Sequence, residues 1–111
     1  MDTVIRMDGQ IDGWPSKAEM TSLMQSAGFS VYVGRYSIRL QDCEHFVIDQ
    51  YGGDLGDPQF DADASSLERM LDDGVRVSAA LASADIRHRF ELYNECDELV
   101  GYLHHRWPKD W

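Results

Sequence analysis

Residues 16–29 are punctuated as a helix at both ends, while most of the sequence around them has strand character, and that contrast limits the fold more than any other feature. Ser16 is an N-cap type. Glu19, three positions on, can return a bond to the Ser16 backbone and so complete a capping box. Met20, Leu23, Met24 and Ala27 then fall at i, i+3, i+4 and i+7, one apolar stripe. Gly28 suits the left-handed residue that closes a helix, and Phe29 the apolar contact that follows it.

Before this helix, Thr3–Met7 reads as a short strand ended by Asp8 and Gly9. After it, Phe29–Leu40 carries Val31, Tyr32, Val33, Tyr36 and Ile38, all strand formers, with Gly34 marking a bulge or a hairpin at Gly34-Arg35. Gln41–Glu44 reads as a turn, His45–Tyr51 as a strand, and Gly52–Asp63 as a turn-rich loop. Ser65 and Glu68 then form a second capping box, for a helix with Leu67, Met70 and Leu71 on its apolar face. Gly74 stops that helix and Ser78–Ala84 forms another, or the two are one helix containing a glycine. Ile86–Tyr93 and Glu98–Trp107 read as a hairpin closed by Asn94–Asp97, with Leu92 facing Leu99 and Gly101 facing Phe90. That register puts Ile86, His88, Phe90, Leu92, Leu99, Gly101 and Leu103 on one face, which a buried side selects. The order predicts one α+β domain over residues 1–111. Its sheet is antiparallel or mixed, with helices packed on one face and a C-terminal β-hairpin.

The chain is one domain long, at 111 residues, and 43 % of it is apolar, enough for a core that needs no covalent staple. Cys43 and Cys96 lie 53 positions apart and match no metal or redox spacing, so they read as two reduced thiols. No basic segment followed by an apolar one opens the sequence, and no run of about 18 apolar residues occurs. A cytoplasmic location is expected. The net charge of −10 argues against direct binding of nucleic acid or of anionic membranes, both of which require clustered Lys and Arg.

That charge is concentrated. Residues 1–41 hold four acids and four bases, and residues 74–111 six acids and five bases, whereas residues 42–73 hold ten acids and a single base, Arg69. Clustered like charge costs stability but builds a field that steers a cationic partner and rejects an anionic one. Dispersed charge would serve solubility equally well, so the clustering points to binding.

Catalytic motifs are missing: there is no Walker A loop, dinucleotide fingerprint, HExxH or GxSxG. Asp61, Asp63 and Ser65 imitate the start of a calcium loop, but Ser66 and Asp72 stand where that loop needs Gly and a bidentate Glu. His88 and His105 can share a hairpin face, with Cys96 at its turn, as a remote zinc possibility; His104 and His105 point to opposite faces. Cys43 and His45 have the residue types of a nucleophile and its base, without the supporting geometry. No catalytic residue, cofactor or metal is therefore assigned. Trp107 and Trp111 read as a tail tucked against the sheet.

An acidic α+β chain carrying Asp54, Asp57, Asp61, Asp63, Glu68, Asp72 and Asp73 beside the hairpin FELYNECDELVGYLHHRWP resembles the immunity proteins of contact-dependent growth-inhibition and related bacterial toxin systems. The resemblance is one of character, with no shared motif to transfer. It implies a non-enzymatic protein that binds and neutralises a cognate toxin, commonly a basic nuclease; the clustering of charge makes those seven acids the expected partner-facing set. The other readings are a small metal-assisted enzyme using His88 or His105, and a general acidic adaptor.

Overall fold

The computed structural model describes residues 4–51 and 58–107. The capped helix forms as its sequence requires: α1 spans Lys17–Ser26, the Ser16 hydroxyl accepts from the Glu19 N–H, and the Glu19 carboxylate accepts from the Ser16 N–H. Gly28 adopts φ +95°, and the Phe29 N–H reaches back to the Met24 carbonyl. Met20 and Met24 are buried and Leu23 partly so, while Ala27 is the exposed C-cap rather than part of the stripe.

Seven strands make one sheet: β1 (Ile5–Ile11), β2 (Val31–Val33), β3 (Ile38–Leu40), β4 (His45–Asp49), β5 (Gln59–Ala64), β6 (His88–Tyr93) and β7 (Leu99–His105). Every pairing is antiparallel and the spatial order is β2-β3-β4-β5-β1-β6-β7. The second helix, α2, spans Leu67–Ser83. Ile5, Met7, Ile38, Leu40, Phe46, Ile48, Phe60, Ala62, Ala64, Phe90 and Leu92 all face one side of the sheet, where they are buried with Met70, Val77, Ala80 and Leu81 of α2 and with Met20 and Met24 of α1. The molecule is one α+β domain with both helices on one face of an antiparallel sheet.

Two glycines let this core close. A Cβ on Gly9 would lie 2.6 Å from the Phe60 ring and 3.1 Å from Phe90, so β1 passes where two aromatic rings meet. A Cβ on Gly74 would lie 3.1 Å from Leu103 Cδ1, so α2 sits directly on β7. Of the two readings offered for this region, the single helix is the one that forms. Close packing explains its glycine, and Gly74 is not a stop.

Other expectations are corrected. β1 runs through Gly9 to Ile11 instead of ending at Asp8. Of the two readings of Gly34, the hairpin is the one that forms, between β2 and β3, and the Lys17 ammonium fixes it to α1 by donating to the Gly34 and Arg35 carbonyls. The C-terminal part of the supposed 52–63 loop is β5, a strand in the middle of the sheet. The N-cap of α2 is Ser66, whose hydroxyl accepts from the Arg69 N–H, so Ser65 and Glu68 do not form a capping box. In the β6–β7 hairpin a bulge at Leu92/Tyr93 moves the register, so that Leu92 faces Gly101, Phe90 faces Leu103 and Tyr93 faces Leu99. Cys43 is buried, Cys96 is exposed, and both are free thiols. No helix among the described residues is long and apolar enough to cross a membrane.

Candidate functional site

The described acids of segment 42–73 do not share one surface. Asp42 and Glu44 are taken up where the 41–44 turn meets α2: Asp42 accepts from the Ser30 N–H, and Glu44 from the N–H and hydroxyl of Ser65. Glu68 and Asp72 are exposed on α2, on the helix side of the molecule. Asp61 and Asp63 alternate with the buried Phe60, Ala62 and Ala64, so they project from the opposite, uncovered face of the sheet. Asp54 and Asp57 lie outside the described residues.

Asp73 departs most from expectation. It is fully buried, and its Oδ2 accepts from the Glu44 N–H at 3.0 Å and from Arg69 Nε at 3.2 Å. The arginine also donates to the Asp42 carbonyl, so this pair pins the turn before β4 onto α2. A carboxylate used in this way is unavailable to a partner, and Asp73 is removed from the candidate surface. Amphipathic α2 turns this position inward, which the segment's charge alone could not show.

The uncovered face has two unlike halves. On β1, β6 and β7 the charges are matched. Arg6 Nη1 donates to Asp97 at 2.8 Å and its guanidinium lies over the Tyr93 ring at 4.7 Å. Arg89 donates to Gln10 at 2.7 Å and lies over the Trp107 ring at 5.6 Å, and the Tyr102 and His104 rings make a tilted contact on the same face. Trp107 is thus packed on the sheet as expected; Trp111 lies outside the described residues.

On β4 and β5 the acids outnumber the bases. His45 pairs across the strands with Asp63, and its Nδ1 is 3.1 Å from Asp63 Oδ2. Asp61 stands two residues along the same strand, and one potential ligand atom each from His45, Asp61 and Asp63 lie within 4.8 Å of one another. Asp49 shares this face. Its Oδ1 is enclosed without a hydrogen-bond partner, and burial followed by the Asp61 charge holds its carboxyl above the usual carboxylate range. Register places Arg6 directly opposite Asp63, but Asp97, Asp8 and Tyr93 draw its guanidinium away. Among the described residues, no Lys or Arg forms an ion pair with Asp61 or Asp63.

The other candidates have structural explanations. Burial, reinforced by the Asp73 charge, pushes the Cys43 thiol up to about 12, the reverse of what an activated nucleophile needs. His88 is fully buried with both ring nitrogens engaged, Nδ1 to the Ile86 carbonyl at 2.8 Å and Nε2 to the Ser78 hydroxyl at 2.7 Å. Desolvation lowers its pKa, and the neutral ring serves as a core residue stacked against His105. His105 is itself held by Asp85 at 3.0 Å. The calcium-loop reading fails because Asp61 and Asp63 sit on strand β5, although the sequence does mark both residues. It missed His45 and Asp49, since nothing local in the chain indicates that β4 and β5 pair. No protein-family model matches the chain, and comparisons with curated proteins and with solved structures give no match either.

Proposed function

We propose that this protein is a binding protein that captures and neutralises a cationic protein, in the manner of a bacterial immunity protein, and does so through the uncovered face of its sheet. One observation carries the reading: a sheet face left bare by both helices presents Asp49, Asp61 and Asp63 on neighbouring strands, with no described Lys or Arg paired with the last two. Carboxylates held on rigid strands are ready acceptors for Arg and Lys, and their field accelerates encounter with a basic surface. A nuclease toxin exposes such a surface, because it must bind phosphates. The matched, aromatic half made by Tyr93, Tyr102 and Trp107 adjoins the acids and supplies the apolar anchors that interfaces favour. The partner-facing set is therefore Asp61 and Asp63 with Asp49. Glu68 and Asp72, on the opposite side of the sheet, lie outside it, and the cytoplasm is the proposed site of action.

The product of the open reading frame directly upstream is the partner to test, since an immunity gene follows its toxin gene. Asp49→Asn, Asp61→Asn and Asp63→Asn combined should slow association at least about tenfold at low salt and flatten its salt dependence. Glu68→Gln with Asp72→Asn should leave both nearly unchanged. An unaltered on-rate in the triple variant would sink the proposal. A general acidic adaptor would instead bind basic proteins without preference for the upstream product.

A further inference from the structure

We infer that His45, Asp61 and Asp63 form a binding site for one divalent transition-metal ion of the manganese-to-zinc group on the uncovered sheet face. The inference does not rest on the partner-capture reading; an ion held there would compete with a docking Arg or Lys for Asp61 and Asp63.

The donors are already grouped. An ion bound by imidazole and carboxylate sits about 2.0–2.2 Å from each donor atom, which spaces neighbouring ligands by roughly 3–3.5 Å. The separation of His45 Nδ1 from Asp63 Oδ2, 3.1 Å, meets that requirement as it stands. Asp61 completes a set contained within 4.8 Å, a distance that rotation of an exposed carboxylate closes. All three side chains project from paired backbone: His45 is opposite Asp63, Asp61 is opposite Val47, and β5 is held by β4 on one side and β1 on the other. Ligands on central strands are positioned more firmly than ligands on loops.

A simple His45–Asp63 ion pair accounts for one of these contacts and leaves the rest unexplained. It gives no reason for Asp61 to stand beside Asp63, or for Asp49 to share the face with its enclosed, unpartnered Oδ1. Nor does it explain why Arg6, placed by register next to Asp63, is spent on Asp97 and Tyr93 instead. Like charges side by side on a sheet are destabilising. A cation among them reverses the sign of that term. One imidazole and two carboxylates suit manganese, iron(II), cobalt or zinc. The set has too few oxygens for calcium and lacks the thiolates of a softer site. Three protein ligands on an exposed face leave the remaining positions to water.

The test uses the full-length chain stripped of metal. Mn2+ binding is followed by electron paramagnetic resonance, Co2+ by visible absorption and Zn2+ by calorimetry. One equivalent should bind with micromolar or tighter affinity and raise the melting temperature. His45→Ala and Asp61→Asn should each weaken binding at least about tenfold, while His104→Ala and Asp72→Asn leave it unchanged. In the unmodified protein, only the His45 ring nitrogens among the four histidines should shift in 15N spectra on adding Zn2+, a readout that does not depend on a variant folding. Absence of saturable binding below millimolar ion would overturn the inference. So would affinity equal to the parent in both ligand variants, or zinc-induced shifts at other histidines, since each means an adventitious surface cation only. Loss of metal binding with partner capture intact, or the reverse, separates this inference from the partner-capture proposal.

Discussion

Asp73 and Asp63 come from the same acidic stretch and end on opposite sides of one sheet, with opposite consequences. Under α2, Asp73 is shut away from water and accepts from Arg69 and from the Glu44 backbone, so its charge serves the fold. On the bare face, Asp63 is partly exposed, meets only His45 among the described bases, and stands near Asp61. The lesson is that a run of acids in sequence is not a patch. A helix turns one carboxylate inward every three or four residues, whereas a strand delivers alternate residues to a single face.

Substitutions on the two faces sharpen this contrast, and the covered face should respond most. Phe46→Ala removes a fully buried ring that packs edge-on against Phe60 and Phe90, and should cost about 3–5 kcal/mol in urea unfolding. Gly9→Ala should cost about 1–3 kcal/mol, because the new methyl meets both of those rings. Asp73→Asn keeps the shape and can keep an acceptor where Oδ2 stood, but it removes the buried charge that pairs with Arg69, and should cost about 1–3 kcal/mol. Asp61→Asn should stay within about 0.5 kcal/mol of the parent in metal-free buffer, and a large loss there would erase the distinction between the faces.

A pH series tests the covered face through His88. His88 is held neutral in the fold, so its folded pKa lies below the ordinary 6.5. Between those two values the unfolded chain binds a proton that the folded chain does not. Stability is therefore undiminished by this group above about pH 6.5 and falls as pH drops below it, by at most about 1.4 kcal/mol per pH unit. His88→Gln should remove that part of the slope below pH 6.5, measured by urea denaturation. An unchanged slope would mean that His88 is protonated inside the fold.

The structural part of this picture was legible to the extent that it was local. The caps of α1 are settled by Ser16, Glu19 and Gly28, residues within one or two turns of the atoms they satisfy. The α+β class followed from the order of strand-like and helix-like segments. β5 was hidden because its inward residues after Phe60 are only Ala62 and Ala64, and its outward ones are acids, which together look like a loop. The alternation was present in QFDADA, but small residues at the core positions weakened it. The candidate site was half legible: Asp61 and Asp63 were chosen for their charge, while His45, 18 positions away from Asp63, became their neighbour only through strand pairing.

By itself, then, the sequence determined the capped helix, the apolar alternation of β4 and β6, the acidity of the central segment and the absence of familiar catalytic motifs. The tertiary structure decided that Gly74 lies inside a helix, that a bulge sets the β6–β7 register, that Asp73 is buried, and that an imidazole meets two carboxylates on a bare sheet. The physical reason is range. Capping and periodicity are settled among residues a few positions apart, whereas register, burial of a given carboxylate and ligand convergence depend on which distant strands pair, and that is fixed by the packing of the whole core.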